Sequence, residues 1–184
     1  GETNRRVKSI CDDIRSYTDI PHMVTTAPRA SLEGVVDGWC PLWNKIDEET
    51  VRKHQSAGDT VWWYGCVTPK NPYPTYHLDD RLMSSRLVHW MQKDYNVTGN
   101  LYWATTVFQK YNGVEYVDRD VWTDPDSYPG APGDGYLLYP GTENDGYVNR
   151  NMPIPTIRLE SIRDGSEDYE YLVILENKIT ELLD

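Results

Sequence analysis

Residues 59–67 read DTVWWYGCV. This run of β-branched and aromatic residues starts just after Gly58 and ends at the Pro-rich TPKNPYPTYHL (68–78), so it reads as a strand. Side chains alternate along a strand. Trp62, Tyr64 and Cys66 therefore share one face, and Val61, Trp63 and Gly65 the other. Both faces are apolar, as in a parallel sheet covered on two sides.

Working outward, residues 79–95 predict the strongest helix, with Leu82, Arg86, Leu87, Val88, Trp90 and Met91 on its apolar face. Gly99 closes the turn, and NLYWATTVF (100–108) is the next strand. Toward the N-terminus, Asp47 opens a helix with an acidic first turn that stops at Gly58. GVVDGWCPLW (34–43) and HMVTTA (22–27) read as strands, ended near Pro41 and Pro28. Residues 3–17 form a helix whose apolar positions are Val7, Ile10, Cys11 and Ile14, ended ahead of Pro21. An irregular Asp/Gly/Pro-rich segment follows 108, with YLLY (136–139) as a short edge strand. Two C-terminal helices are expected, separated at Gly165; in the second, Tyr169, Leu172, Val173, Glu176, Ile179 and Leu183 share one side.

Strands alternating with helices argue for an α/β fold with a parallel sheet. The absence of a Gly-rich phosphate loop after any strand disfavours a nucleotide-binding fold. The expected fold is a (β/α)8 TIM-type barrel. Such a barrel takes roughly 250 residues, and four strands fit in the 184 here. The chain is thus expected to be the C-terminal half of a barrel plus C-terminal helices, one domain over 1–184. The half-barrel would span 3–108, the irregular segment and edge strand 109–150, and the helices 154–183.

Composition narrows the function. The net charge of −11 and the lack of a basic stripe argue against nucleic acid. No stretch is apolar enough to span a bilayer. Gly1-Glu2 reads as a cloning remnant, so the natural N-terminus is expected to lie elsewhere and the compartment is not legible. Cys11, Cys40 and Cys66 lack metal-ligand spacing and read as buried free thiols; only His77 could approach Cys66 as a catalytic partner. The 14 Tyr and 7 Trp against a single Phe favour flat apolar faces with polar handles. Those suit sugar rings, which offer C–H groups on one face and hydroxyls around the rim.

Five ordered blocks carry a resemblance: VDGWCPLW (36–43), VWWYGCVTPKNPYP (61–74), GNLYWATTVF (99–108), GDGYLLYPG (133–141) and IPTIRLESIRDGSEDYEYL (154–172). Together they resemble the catalytic domain of glycoside hydrolase family 123 and the related domain of unknown function 4091. The resemblance implies a barrel that hydrolyses β-linked N-acetylgalactosamine by substrate-assisted retention. In that scheme the sugar's own 2-acetamido oxygen attacks the anomeric carbon, a Glu serves as acid/base, and an adjacent Asp orients the acetamido group. It is also consistent with an extracytoplasmic setting. The family's Asp-Glu pair ends the fourth strand, which would precede residue 3. The one Asp-Glu pair here, Asp47-Glu48, sits where acids cap helices. The chain departs from the family at Thr75, Thr106 and Phe108, where amide side chains and a Trp are frequent.

Barrel sites gather at the ends of strands and in the loops after them. Trp39, Trp43, Tyr64, Tyr76, His77 and Trp103 are the candidate substrate-binding residues. Trp103 could stack beneath a sugar or pack as a core Trp, and Tyr64 could line a pocket or pack in the barrel. Asp37 lies mid-strand and would need a buried partner. No cofactor or metal is expected: the Asp-rich 118–126 lacks calcium-loop spacing. Arg158, Arg163, Asp164, Glu167 and Asp168 read as ion pairs and caps around Gly165. The expected partner is a glycan containing N-acetylhexosamine. Two functions stand: a glycosidase whose dyad lies upstream, or an inactive carbohydrate-binding or scaffold barrel. Open sheet edges at 22–27 and 100–108 predict a homodimer.

Overall fold

The structure, a computed structural model, describes residues 2–141 and 152–183. It is an α/β fold that divides into two compact units. The first takes the residues up to Tyr64 together with Asp94–Leu101; the second takes Gly65–Lys93 and the described residues from Tyr102 on.

The first unit holds the main sheet. Helix α1 (Glu2–Arg15) leads to β1 (Met23–Val24) and β2 (Gly38–Trp39). Helix α2 (Glu48–Ser56), β3 (Thr60–Gly65) and β4 (Gly99–Tyr102) follow, giving the sheet order β1-β2-β3-β4. β1 pairs parallel to β2 and β2 parallel to β3, with Val24 opposite Trp39 and Trp39 opposite Val61. The sheet is open, and no closed sheet occurs among the described residues. The strands are shorter than their apolar runs, and in the 34–43 run Pro41, which lacks an N–H, interrupts the pairing. A single bridge between Leu42 and Tyr64 resumes the pairing beyond Pro41.

Helix α1 buries Cys11 against Leu32, Val36 and Trp39, with Val7 and Val24 beside them. Ile10 and Ile14, expected on that face, are exposed. Arg15 grips both carboxylate oxygens of Asp37 at 3.0 Å, and the His22 N–H donates to Asp37 at 2.7 Å. The His22 backbone donor, with Arg15, holds the Asp37 carboxyl below its ordinary range, so the mid-strand acid has its partners. Asp47 caps α2 by accepting the Thr50 N–H at 2.7 Å. The alternation read along 60–65 holds: Val61 and Trp63 are fully buried, and Trp62 is 37% exposed.

The second unit is helical and irregular. Helix α3 (Leu82–Asp94), almost all of it here, buries Ser85, Val88, His89 and Gln92. The expected apolar stripe is corrected: Leu82, Leu87 and Trp90 remain exposed. The C-terminal sequence is also corrected, from two helices to one, α4 (Ile157–Leu183). Gly165 is not a stop. A Cβ there would lie 2.7 Å from the Arg86 carbonyl oxygen and 2.8 Å from His89 Nδ1. Only hydrogen lets α4 approach α3 so closely, which offsets the roughly 1 kcal/mol that Gly costs inside a helix. Asp168 then accepts from Arg86 at 2.5 and 2.7 Å and from the Trp90 indole at 2.7 Å. Lys93 pairs with Glu176 at 2.7 Å.

Between these helices the described residues form three small antiparallel pairs. β5 (Gln109–Tyr111) pairs with β6 (Tyr116–Asp118), and β7 (Asp126–Tyr128) with β8 (Ala131–Pro132). β9 (Leu138–Tyr139) pairs with β10 (Ile154–Pro155). YLLY thus contributes a strand, but to its own two-stranded sheet rather than to the edge of the main one.

Candidate functional site

Trp103 follows directly on β4 and is 40% exposed. Its indole N–H is not free. It donates to both oxygens of the Asp134 carboxylate, at 3.0 and 3.1 Å. The Tyr102 hydroxyl donates to Asp134 Oδ1 at 3.0 Å and accepts the Gly135 N–H at 2.8 Å. Asp134 itself is fully buried. Burial raises its carboxyl above the ordinary value, and the Trp103 and Tyr102 donors oppose that shift. The same burial raises the Tyr102 hydroxyl strongly, so it stays protonated and able to donate.

The turn that presents Asp134 is sterically fixed. Gly135 has φ of +76°, and a Cβ on it would fall 2.4 Å from the Trp103 ring. Any other residue would be strained and would displace the indole. The ring is therefore held at its N–H edge by a carboxylate and against one side by a bare backbone. What remains outward is aromatic surface in a fixed plane.

Arg158 secures the turn from beneath. Its guanidinium donates to the carbonyls of Tyr76 at 2.5 Å, Gly133 at 2.9 Å and Tyr136 at 2.8 Å. It also lies over the Tyr136 ring, 5.3 Å from the centroid. Burial lowers its pKa from the usual Arg value. Arg158 is thus corrected from an ion-pair residue to a backbone clamp. Arg163 does form the expected pairs, with Glu160, Asp164 and Glu167, on an exposed helix face.

The six candidates fall three to each unit. In the first, Trp39 is fully buried, donates its indole N–H to Asp59 at 2.8 Å, and meets the His54 ring edge-on at 5.5 Å. Trp43 is 2% exposed and packs edge-on against Trp63 at 6.3 Å. Both sit in the packing of the sheet, with almost no surface for a sugar. Tyr64 is half-buried, and its backbone N–H donates to the Pro41 carbonyl at 2.9 Å. In the second unit Tyr76 is buried with its ring edge-on to Tyr102 at 5.0 Å. His77 is buried too, its Nε2 2.9 Å from the Cys66 carbonyl oxygen. The His77 ring thus addresses the backbone of Cys66, not its thiol. Burial pushes the Cys40 thiol up to about 11. Trp103 is the candidate with a broad exposed face.

Sequence reasoning missed Asp134 and Tyr102. The signal available was the GDG turn (133–135), whose acid reads as an ordinary turn residue until its partner is known. Thr75, one of the departures from the family pattern, is 3% exposed, donates its hydroxyl to Asp80 at 2.6 Å and accepts the His77 N–H at 3.0 Å. The acids of 118–126 are engaged locally. Asp120 accepts the Trp122 N–H at 3.0 Å, and Asp124 pairs with Lys110 at 2.9 Å. Among the described residues no three His, Cys, Asp or Glu side chains are grouped to hold a metal, and no helix is long and apolar enough to cross a membrane.

Comparison with known proteins adds the family context. A family model described as the catalytic domain of glycoside hydrolase 123 matches residues 2–175. Among solved structures, the chain is similar to a family 123 glycoside hydrolase from Clostridium perfringens, described in connection with glycolipid glycan hydrolysis. The two share 18% identity with a TM-score of 0.69, over 96% of this chain and 30% of that one. No curated protein matches. At that identity the likeness speaks for the fold, and the chain spans about a third of the solved relative.

Proposed function

The chain belongs to glycoside hydrolase family 123, and on that premise we propose that it is the C-terminal half of a (β/α)8 barrel acting on β-linked N-acetylhexosaminides. N-acetylgalactosamine is the favoured sugar, and the route is substrate-assisted retention. One observation of the structure carries the binding half of this reading: Trp103, just past β4, presents an exposed indole that Asp134 and Gly135 hold in one orientation. Strand ends are where barrel enzymes build their sites. A fixed aromatic plane there stacks on the apolar face of a pyranose ring with little ordering cost.

The one Asp-Glu pair in the sequence does not read as an acid/base pair. Asp47-Glu48 is a helix start, with the Asp47 carboxylate on the Thr50 N–H. We place the catalytic dyad in the part of the family fold that this chain does not span. The division of labour is then simple: the dyad segment performs the proton transfer, and this segment supplies the platform beneath the sugar. The Asp47 geometry also supports a second reading, a carbohydrate-binding or scaffold barrel without chemistry.

Hydrolysis of a chromogenic β-N-acetylgalactosaminide, by the full-length protein and by this chain, separates the two. Turnover by the full-length protein alone supports the divided glycosidase. Turnover by the chain alone sinks the placement of the dyad. Turnover by neither, with sugar binding retained, favours the binding barrel.

A further inference from the structure

Another exposed indole, Trp122, is tied to the same short segment, 134–139, that holds Trp103. Trp122 sits in the turn between β6 and β7 and is 50% exposed. One face of its ring stacks on Tyr139, with centroids 4.4 Å apart and planes 30° off parallel. Among the described residues its indole N–H makes no hydrogen bond. Half of its surface is exposed, so among the described residues ring surface and an unengaged donor occur together, the pair of features a hydroxylated ring requires.

The support is rigid. The backbone N–H of Trp122 donates to Asp120 at 3.0 Å, the Asp124 N–H donates to the Asp120 carbonyl at 2.9 Å, and the adjacent Val121 is buried. Arg119 donates to the carbonyl of Asp124 and lies over the Tyr136 ring, 4.9 Å from its centroid. Tyr136 in turn meets Tyr139 edge-on at 5.5 Å and donates its hydroxyl to the Pro125 carbonyl at 3.2 Å. The single segment 134–139 therefore serves two exposed indoles: Asp134 and Gly135 fix Trp103, and Tyr139 backs Trp122. Five residue steps separate Asp134 from Tyr139, at most about 18 Å of fully extended chain.

Resting on the assignment of Trp103 as a sugar platform, we propose that Trp122 is a second one. It takes a further pyranose of the same glycan, so this region reads an oligosaccharide rather than a lone N-acetylhexosamine. The two sites differ in chemistry. The Trp103 N–H is engaged by Asp134 and leaves stacking alone, whereas Trp122 offers stacking and one donor.

The test is calorimetric titration of the chain with methyl β-N-acetylgalactosaminide and with a trisaccharide ending in β-linked N-acetylgalactosamine. Trp122→Ala, Trp122→Phe and Trp103→Ala are compared with the unsubstituted protein, and indole N–H resonances are followed by NMR. The trisaccharide is expected to bind about five- to tenfold tighter than the monosaccharide, a margin that one stacked ring supplies. Trp122→Ala should erase that margin without changing monosaccharide affinity, and Trp122→Phe should restore most of it. The Trp122 indole resonance should shift with trisaccharide only. A margin that survives Trp122→Ala, or equal binding of the two sugars by the unsubstituted protein, overturns this inference and leaves Trp103 standing. Binding of neither sugar overturns both.

Discussion

The tryptophans of the sheet and those of the loop segment show opposite uses of one side chain. Trp39 and Trp63 in the first unit are fully buried, Trp39 with its N–H on Asp59. Trp103 and Trp122 in the second unit keep 40% and 50% of their surface exposed, yet each is anchored by a specific neighbour. Trp39 is dry with its polar edge satisfied by Asp59. Trp103 and Trp122 keep ring surface exposed while anchored, the arrangement that the proposed sugar contacts would use. The contrast lies in what is held, whole ring or edge alone, more than in where the residue falls in the sequence.

The largest expected effect tests the buried half. Trp63→Ala should cost about 4 kcal/mol, the usual range for emptying an aromatic core position, read from the urea midpoint at constant slope. A loss below about 1 kcal/mol would mean that Trp63 resembles a surface residue and would collapse the contrast.

Next is the clamp that supports the exposed half. Arg158→Met keeps the packing of the stem but leaves three buried carbonyls without their donor. The expected cost is about 3 kcal/mol, since each unsatisfied group costs on the order of 1 kcal/mol or more. Near-neutral stability in urea would show that water replaces the guanidinium.

Trp103→Ala sharpens the comparison from the ligand side. Affinity for an N-acetylgalactosaminide should fall about tenfold, or roughly 1.4 kcal/mol, measured by titration. Trp39→Ala, if it folds, should lower affinity only through lost stability. Equal losses after correction for the folded fraction would break the assignment.

The smallest effect is one of pH. Arg86, with Trp90, holds the Asp168 carboxyl down at about 2 against an ordinary 3.8. A carboxyl lowered by folding stabilises the native state above its unfolded pKa, and that contribution fades as pH falls toward the folded value. The stability difference between the unsubstituted protein and Asp168→Asn should therefore be constant above pH 5 and shrink between about pH 4 and 2. A difference unchanged across that window would show that the ion pair contributes nothing. Separately, β1 and β4 are the outer strands of the sheet among the described residues, and these edges lead us to expect a homodimer of the isolated chain. Light scattering at the monomer mass of 21.3 kDa would remove that expectation.

Much of the sheet is legible because its signals are local. The alternation across Val61, Trp62 and Trp63, the Asp47 cap and the strand–helix order each depend on a few neighbouring residues. The errors arise where distant residues decide. Gly165 has the look of a helix end, and only the proximity of Arg86 and His89 shows that it serves a close crossing. Leu82 and Leu87 look like a core stripe, but the residues of α3 that meet α4 are Arg86, His89, Trp90 and Lys93. At the candidate site, Trp103 is visible from its place after a strand. Asp134 is not, because its partners lie 31 and 32 residues earlier. Trp39 and Trp43 were candidates because pattern alone cannot say which side of a covered sheet holds the ligand.

The reach of Arg158 has a consequence for biosynthesis. It grips the carbonyl of Tyr76 across 82 positions and those of Gly133 and Tyr136 across 25 and 22. A chain leaves the ribosome from its N-terminal end, at about 5–20 residues per second. The loop at 76 must therefore wait some seconds for its clamp, while the local pairings of the first unit can already form. In the nascent protein the aromatic segment sets only after residue 158 has emerged, and until then its tyrosines and tryptophans are surface that a chaperone would meet.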